Sequence, residues 1–447
     1  MRWKMKNKNK VAGALLISLY SFLVLVPIII LILGPKFIGR PALLDLSVSL
    51  AFVGLAIMAM QFILSARIKK THEPFGTDLV YHFHRQMGMA ASLFVFSHPI
   101  LLFILDSRFL RLLNIFTAQP RIRRGIVAIL LLVGVAWMAE YRQKFKIPYW
   151  FWKLWHGILA SIMIPLALFH IFTGGNYIDL PWKKALWIIY SVMFTLVVFY
   201  DRVIYPLRLI KNPYRIKQLI PERGNVWTIA MEPINHKGFQ FKPGQFAWLT
   251  AWKTPFSDSE HPFTIASSAE KRDTIQMSIK SLGKFTSRIQ NLEIGDKVFV
   301  DGPYGYYSID RYPKTTRIVF IPGGIGITPI MSMLRSMADR GDKRPIILFY
   351  CNQEWETLTF MEEVEELQKI LNMRVIYTIE RPPQDWQGEK GFLNSTILNK
   401  FLPPEWKSKG TEVFLCGPVP MMNAVEKALL ASGFEENQVH TERFALV

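Results

Sequence analysis

Four histidines lie within long apolar stretches of the sequence, and their spacing repeats. His84 precedes His98 by fourteen residues, and His156 precedes His170 by the same number. An ionisable ring inside a bilayer is costly and normally has a partner or a task. Fourteen residues at about 100° each fall roughly 40° short of four helical turns, so each pair shares one helix face, about 21 Å apart along the axis. That rise fits inside a hydrocarbon core about 30 Å thick. One further span separates the two stretches, so they run in the same direction; His84 then faces His156 near one membrane surface, and His98 faces His170 near the other. Two facing imidazoles fill both axial positions of a haem iron, and the pattern predicts two stacked haems. His82 is a rival to His84, but sixteen residues from His98 place it about 160° out of phase. Pro165 is expected to kink the second of these helices. An interhelical hydrogen bond or a proton relay would also employ a membrane histidine, yet neither calls for the repeated spacing.

Helices of membrane length must carry these rings. Apolar runs long enough to span appear at about 11–33, 43–65, 80–105, 125–141, 150–172 and 184–204. The chain has 447 residues, 51% of them hydrophobic, with a net charge of +19, an odd pairing for one soluble globule. Residues 1–217 hold 27 Lys and Arg against 7 Asp and Glu, whereas the remainder holds 26 against 27. The positive excess therefore belongs entirely to the apolar half, as in a membrane domain with basic edges, and it argues against a nucleic-acid partner. Six spans put both termini on one side. Taken as cytosolic, that side collects fourteen of the flanking Lys and Arg and the opposite side nine, the basic loop 106–124 being the exception. The opening "MRWKMKNKNK" precedes an apolar run with no small-residue cleavage site, and is read as leading into a retained first helix. The two cysteines, Cys351 and Cys416, lack metal-ligand spacing and read as reduced cytosolic thiols.

Beyond about residue 212 the texture changes. "NVWTIAMEP", "GQFAWLTAW" and "DTIQMSIKS" are short strands divided by turns such as "KPGQ" and "DGPYG", an antiparallel barrel. From about 314, "RIVFI", "PIILFY", "MRVIYTI" and "EVFLC" alternate with helical stretches, which predicts a doubly wound parallel sheet. The fold class is thus a six-helix transmembrane bundle followed by a β-barrel and an α/β domain, with boundaries at 1–210, 211–312 and 313–447. In the barrel, "HPFT" at 261–264, Ser267 and "GKFTS" at 283–287 offer what a flavin needs. His261, Phe263 and Thr264 supply, in order, a pyrophosphate donor, an apolar lid and a hydroxyl, while Gly283 and Thr286 bring backbone and hydroxyl to phosphate. Each element singly is also what an ordinary strand carries. In "FIPGGIGITPI" at 320–330, Gly323, Gly324 and Gly326 let backbone approach a pyrophosphate at a helix N-terminus. "LCGP" at 415–418 ends a later strand at the same carboxyl edge, where Cys416 is either near a nicotinamide or a buried strand-end thiol.

Taken together, the paired histidines, "HPFT", "PGGIGITP", "CGP" and a near-terminal "ERF" resemble the NADPH oxidase and ferric reductase family, and the second half resembles ferredoxin–NADP reductases. The likeness runs from the second span to Phe444. It implies two haem b groups held by His84, His98, His156 and His170, an FAD-binding barrel and a nicotinamide-nucleotide domain. His261, Pro262, Phe263, Thr264, Ser267, Gly283 and Thr286 match flavin positions, and Phe444 matches the aromatic that covers the flavin ring. Gly323, Gly324, Gly326, Thr328, Pro329, Cys416, Gly417 and Pro418 match nucleotide positions. Three residues, "ALV", follow Phe444, a departure from relatives that close on that aromatic. "FYCNQEWE" at 349–356 departs too: it brings no positive charge where an NADPH enzyme keeps an arginine for the 2′-phosphate, so NADH is expected to serve at least as well as NADPH. No calcium-loop pattern and no long Pro-rich tail indicate a regulatory subunit. Arg85 and Lys153 are candidates for haem propionates or plain interfacial cations. The expected activity is transmembrane electron transfer, from cytosolic NAD(P)H through FAD and two haems to an outer acceptor, in a multi-pass protein of the cell membrane. Oxygen as acceptor gives a superoxide-generating oxidase. The alternatives are a ferric or cupric chelate reductase and, from another class, a nucleotide-regulated channel or transporter without haem.

Overall fold

A computed structural model describes residues 7–32, 39–66, 68–72, 74–174, 177–257 and 260–443. The chain divides into two compact units, Met5–Pro206 and a second formed chiefly by Leu207–Val447.

The first unit is helical: α1 (Asn7–Ile32), α2 (Ala42–Ser65), a single turn α3 (Lys69–His72), α4 (Thr77–Leu105), α5 (Pro120–Tyr141), α6 (Tyr149–Thr173) and α7 (Pro181–Phe199). A π-helical turn at Tyr200–Ile204 continues α7 into α8 (Tyr205–Lys211). Six of these segments are long and apolar enough to cross a membrane; helices suit lipid because they satisfy every backbone N–H and C=O internally. α2 forms the centre, burying Phe52, Val53, Ala56, Ile57 and Met60. Gly54 lets α4 approach it closely, since a Cβ there would lie 2.8 Å from Val95 Cγ2 and 2.9 Å from the Ala91 carbonyl. Outward-facing Leu93, Ile104, Leu130, Ile189 and Leu196 stay exposed, as a lipid-facing surface requires. One boundary moves. The fourth span begins at Pro120 rather than near 125, because proline at the first helical position starts the helix and draws Arg121, Arg123 and Arg124 into its first turn.

The second unit opens with β1 (Tyr214–Glu222), β2 (Val226–Pro233), β3 (Phe246–Thr250), β4 (His261–Thr264), β5 (Ile275–Lys280) and β6 (Lys297–Tyr304). They form one antiparallel sheet in the order β4-β3-β6-β1-β2-β5, and a bridge between Ile265 and Met277 joins its two edges into a barrel. Ile216, Ile229, Met231, Leu249, Met277 and Val298 fill the interior. Next come β7 (Arg317–Pro322), α9 (Ile327–Asp339), β8 (Ile346–Asn352), α10 (Met361–Ile370), β9 (Met373–Ile379), β10 (Glu389–Lys390), α11 (Ser395–Phe401), β11 (Thr411–Cys416), α12 (Val419–Ala431) and β12 (Val439–Glu442). The sheet order is β10-β9-β8-β7-β11-β12, parallel throughout. Its inner strands read as unbroken apolar runs because both faces are covered. The order reverses between β7 and β11, so a crevice opens at their carboxyl ends, where sheets of this kind bind ligands.

Candidate functional site

In the membrane unit the histidines of α4 and α6 meet in the two predicted pairs. Ring centres are 6.4 Å apart for His84 and His156, and 6.5 Å for His98 and His170. A metal–imidazole bond of about 2 Å on each side, plus about 1.15 Å from nitrogen to ring centre, sums to about 6.3 Å. The gaps therefore fit one metal between each pair. No group of three or more His, Cys, Asp or Glu that could hold a bare metal ion occurs among the described residues; two facing imidazoles are the donor set that suits a macrocycle supplying its own four equatorial nitrogens. His82 is exposed while His84 points inward, as the phase argument requires. Pro99 and Pro165 both lie inside their helices, and the His98 and His170 rings still meet.

The two pairs differ in what surrounds them. In the His98–His170 pair, Nδ1 of His170 lies 2.8 Å from the Arg121 carbonyl and Nδ1 of His98 lies 3.2 Å from Ser47 Oγ. Gly125 leaves room for the His170 ring, since a Cβ there would stand 2.9 Å from Nδ1. In the His84–His156 pair, Nδ1 of His156 is buried without a hydrogen bond, and His84 has the Gln61 backbone beside it. Trp152 flanks His156 with ring centres 5.4 Å apart. Arg85 is exposed and bound to Glu140 at 3.1 Å, and Lys153 is partly buried on α6. A cation that sequence reasoning missed lies nearby: Arg202, carried by the π-helical turn, sets its Nη2 3.2 Å from where a Gly157 Cβ would be.

In the barrel, β4 pairs with β3 and presents His261, Pro262, Phe263 and Thr264 in sequence. The His261 and Phe285 rings stack at 3.9 Å, and Phe263 lies nearly parallel to Phe285 at 6.0 Å. Phe285 belongs to the "GKFTS" stretch, so the two flavin motifs meet through it. The Thr286 hydroxyl accepts N–H bonds from Leu282 and Gly283 and donates to the Gly283 carbonyl, which makes it the builder of the turn. Gly283 faces open space. Thr264 and Ser267 are buried, and the Ser267 hydroxyl accepts the Gln276 N–H. Phe444 lies outside the described residues.

At the carboxyl edge of the parallel sheet the glycines divide into two tasks. Gly323 donates its N–H to the Cys416 carbonyl at 2.8 Å, Gly417 packs on the Gly323 backbone, and a Cβ at Gly326 would run into the Cys416 carbonyl. These three let the β7 and β11 loops touch. Gly324, with φ of +54° and no atom closer than 3.9 Å to a Cβ position, is the one open to a ligand. Thr328 donates to the Ile325 carbonyl and is buried with Pro329 in the first turn of α9. Pro418 precedes α12. Cys416 is fully buried, its thiol held well above the usual range by burial and then by the charge of Glu442. That glutamate, from the "ERF" motif, places Oε1 3.1 Å from a Gly305 Cβ position; the sequence reading used only the aromatic of the motif and passed over the acid. At the end of β8, Asn352 Nδ2 donates to the Glu354 carbonyl and to Thr357 Oγ1. Arg381, just past β9, reaches Glu354 at 3.0 Å, a cation from outside the 349–356 stretch.

α9 also ties the barrel and the α/β domain together. Ser332 donates to the Ser267 carbonyl, Ser336 accepts the Ala269 N–H, and Arg335 donates to the Ala266 carbonyl and Gln276 while pairing with Glu363. Nothing in the spacing of these three residues signals such a role.

Three stretches of the chain match known protein families. Residues 50–167 match the family described as ferric reductase like transmembrane component, 214–308 an FAD-binding domain, and 320–427 an oxidoreductase NAD-binding domain. The chain has the NADPH oxidase/ferric reductase architecture. An FAD-binding domain and an oxidoreductase NAD-binding domain are thus joined, in one chain, to a ferric reductase like transmembrane component. The transmembrane match includes His84, His98 and His156 and stops short of His170. Among relatives, the reductase component of propane 2-monooxygenase from Mycolicibacterium smegmatis is 28% identical over 239 residues, covering 52% of this chain and 66% of that protein. The glycine betaine monooxygenase reductase subunit of Chromohalobacter salexigens is 28% identical, covering 52% and 64%. NADH-cytochrome b5 reductase 2 of Phaeosphaeria nodorum is 29% identical, covering 41% and 56%. The chain thus spans less than two thirds of each of these relatives. Among solved structures, the cytochrome b5 reductase domain of Ulva prolifera nitrate reductase aligns at 24% identity and a TM-score of 0.45, over 52% of this chain and 98% of that one. Flavohemoglobin from Malassezia yamatoensis aligns at 17% and 0.48, over 89% and 96%.

Proposed function

We propose that the chain is a transmembrane NAD(P)H-dependent flavohaem oxidoreductase that reduces an acceptor on the outer face of the cell membrane, oxygen first, with superoxide as product. On this reading residues 1–210 form the haem domain, 211–312 the FAD domain and 313–447 the nucleotide domain, the last two in the cytosol. The observation that carries it is the pair of facing imidazole gaps, 6.4 and 6.5 Å, stacked along the same two helices. When bound, the nicotinamide supplies hydride, FAD the change from two electrons to one, and haem single-electron transfer. The chain's own residues bind and orient these groups. His84 and His156 would hold the inner haem and His98 and His170 the outer one, each ring giving one imidazole nitrogen. His261, Phe263, Thr264, Ser267 and the Gly283–Thr286 turn line the flavin site. The β7 and β11 loops, with Gly324 open and the start of α9 behind it, receive the dinucleotide pyrophosphate. Glu354 beside Asn352 favours a free ribose hydroxyl over a 2′-phosphate, which makes NADH the expected donor; one relative carries NADH in its name.

A second reading, reduction of an anionic ferric or cupric chelate, draws on the exposed Arg121 and Arg123 in the first turn of α5, close in sequence to the backbone contact of His170. One experiment separates these. The purified protein, loaded with FAD, is reduced anaerobically with NADH and mixed with air-saturated buffer or with ferric citrate while the haem bands are followed. Prompt reoxidation by air with superoxide formed supports the oxidase; slow reoxidation by air and fast reoxidation by the chelate makes the chain a metalloreductase. Protein without haem bands refutes the proposal and leaves the channel or transporter reading.

A further inference from the structure

An imidazole that ligates iron through Nε2 must carry its proton on Nδ1, and whatever accepts that proton fixes the ring's tautomer and orientation. In the outer pair both Nδ1 atoms have an acceptor. For His170 it is the Arg121 carbonyl at 2.8 Å, a group that cannot donate. For His98 it is Ser47, whose Oγ lies at 3.2 Å and whose backbone also lies beside the ring. A serine hydroxyl has one proton, and Ser47 directs it to the Leu44 carbonyl at 3.0 Å within its own helix. The oxygen facing His98 therefore presents a lone pair, so Nδ1 carries the proton and Nε2 is the bare nitrogen. Ser47 is fully buried, on α2, fifty-one residues before its partner. Of the other two rings, His156 has no hydrogen bond at Nδ1 and His84 has only the Gln61 backbone beside it.

We propose that Ser47 is a positioning residue for the outer site: with its proton committed to Leu44, it accepts the His98 Nδ1 proton and holds the His98 Nε2 lone pair toward His170. The proposal rests on the haem reading above. A hydrogen bond to Nδ1–H makes the imidazole a stronger donor and favours ferric over ferrous iron, and losing such an outer partner typically weakens metal binding about 10- to 100-fold. The effect should be confined to one of the two haems.

The test compares the full-length, haem-loaded wild type with Ser47→Ala, Ser47→Cys and Ser47→Thr, by redox titration of the haem bands and by transfer of haem to a scavenging apoprotein. Alanine and cysteine both remove the strong acceptor, and cysteine keeps nearly the volume; threonine keeps the hydroxyl. In Ser47→Ala and Ser47→Cys one of two titration waves should move to higher potential, by about 59 mV for each tenfold loss of ferric preference, and one haem equivalent should leave at least tenfold faster. Ser47→Thr should titrate near wild type. Two unmoved waves in both Ser47→Ala and Ser47→Cys would overturn the proposal and leave the haem reading standing. A shift in Ser47→Thr as large as that in Ser47→Ala would assign the effect to packing and overturn it equally. Wild-type protein that purifies without haem bands would instead remove the haem reading itself.

Discussion

Gly125 is a small perturbation with a large expected effect. A Cβ placed on it would lie 2.9 Å from Nδ1, 3.0 Å from Cε1 and 3.2 Å from Cγ of His170. Comfortable contacts between such atoms fall at about 3.5 Å or more, so the ring must retreat by roughly half an ångström. Overpacking of this size costs about 1–3 kcal/mol, which, taken from the ligand geometry, is about a 5- to 150-fold loss of outer-haem affinity. Alanine is also a better helix former than glycine by about 1 kcal/mol, so Gly125→Ala should leave global stability nearly unchanged while damaging one site. Gly134→Ala on the same helix is the control, because its Cβ would meet only Leu159 Cδ1 at an ordinary 3.8 Å. The assay is haem per chain together with the redox titration. On the proposed haem reading, Gly134→Ala should keep two haems and Gly125→Ala should approach one, with the remaining wave at the wild-type potential of the His84–His156 site. Gly125→Ala that keeps two haems with both potentials unmoved would refute the argument that His170 is sterically fixed by this glycine.

Other consequences are as accessible. Gly326→Ala drives a methyl into the Cys416 carbonyl and to 2.9 Å from the Gly417 nitrogen, so KM for NADH should rise tenfold or more with FAD content unchanged, checked by steady-state kinetics and flavin absorbance. Glu354→Ser releases Arg381 from a half-exposed ion pair of little intrinsic strength, so the NADPH-to-NADH ratio of kcat/KM should rise about tenfold; adding Arg381→Ala should abolish the gain, and a ratio indifferent to both changes would mean that the 2′-position is read elsewhere. Burial pushes the Cys351 thiol up to about 12 and holds Cys416 well above its ordinary value. Since a raised thiol pKa leaves little thiolate below it, about one Cys351 in ten thousand is ionised at pH 8, and neither cysteine should react with a thiol reagent until the protein unfolds.

What was legible in the sequence was whatever repeats. The histidine spacing survives in the structure because helical phase is set by the backbone alone, and it predicted which rings face each other and why His82 does not. Strand texture and motif order likewise announced the barrel and the parallel sheet. What was hidden depends on closeness between distant segments. Ser47 and Gly125 carry no periodic signature, and the partner of His170 is a backbone carbonyl, which any residue at position 121 would supply. Hydropathy placed the fourth span late because three arginines mask its first turn, although Pro120 marks the start. Arg381 escaped the charge reading at β8 because it arrives from the neighbouring strand, twenty-seven residues on. The glycines of "PGGIGITP" were assigned to the nucleotide as a group, whereas two of them serve contact between loops and one faces outward.

The helix α9 has a mechanical consequence. Its first turn borders the dinucleotide crevice, while Ser332, Arg335 and Ser336, one and two turns further on, grip the barrel segment Ala266–Ala269 that directly follows the flavin strand. The spacing between the two binding sites is therefore gauged by a rigid rod and not by the linker that joins the domains in sequence. Lengthening that linker should change little, whereas deleting one residue of α9 between Pro329 and Ser332 would swing all three grips by about 100°. Such a chain could keep both sites intact and still hold its nicotinamide at the wrong distance from its flavin.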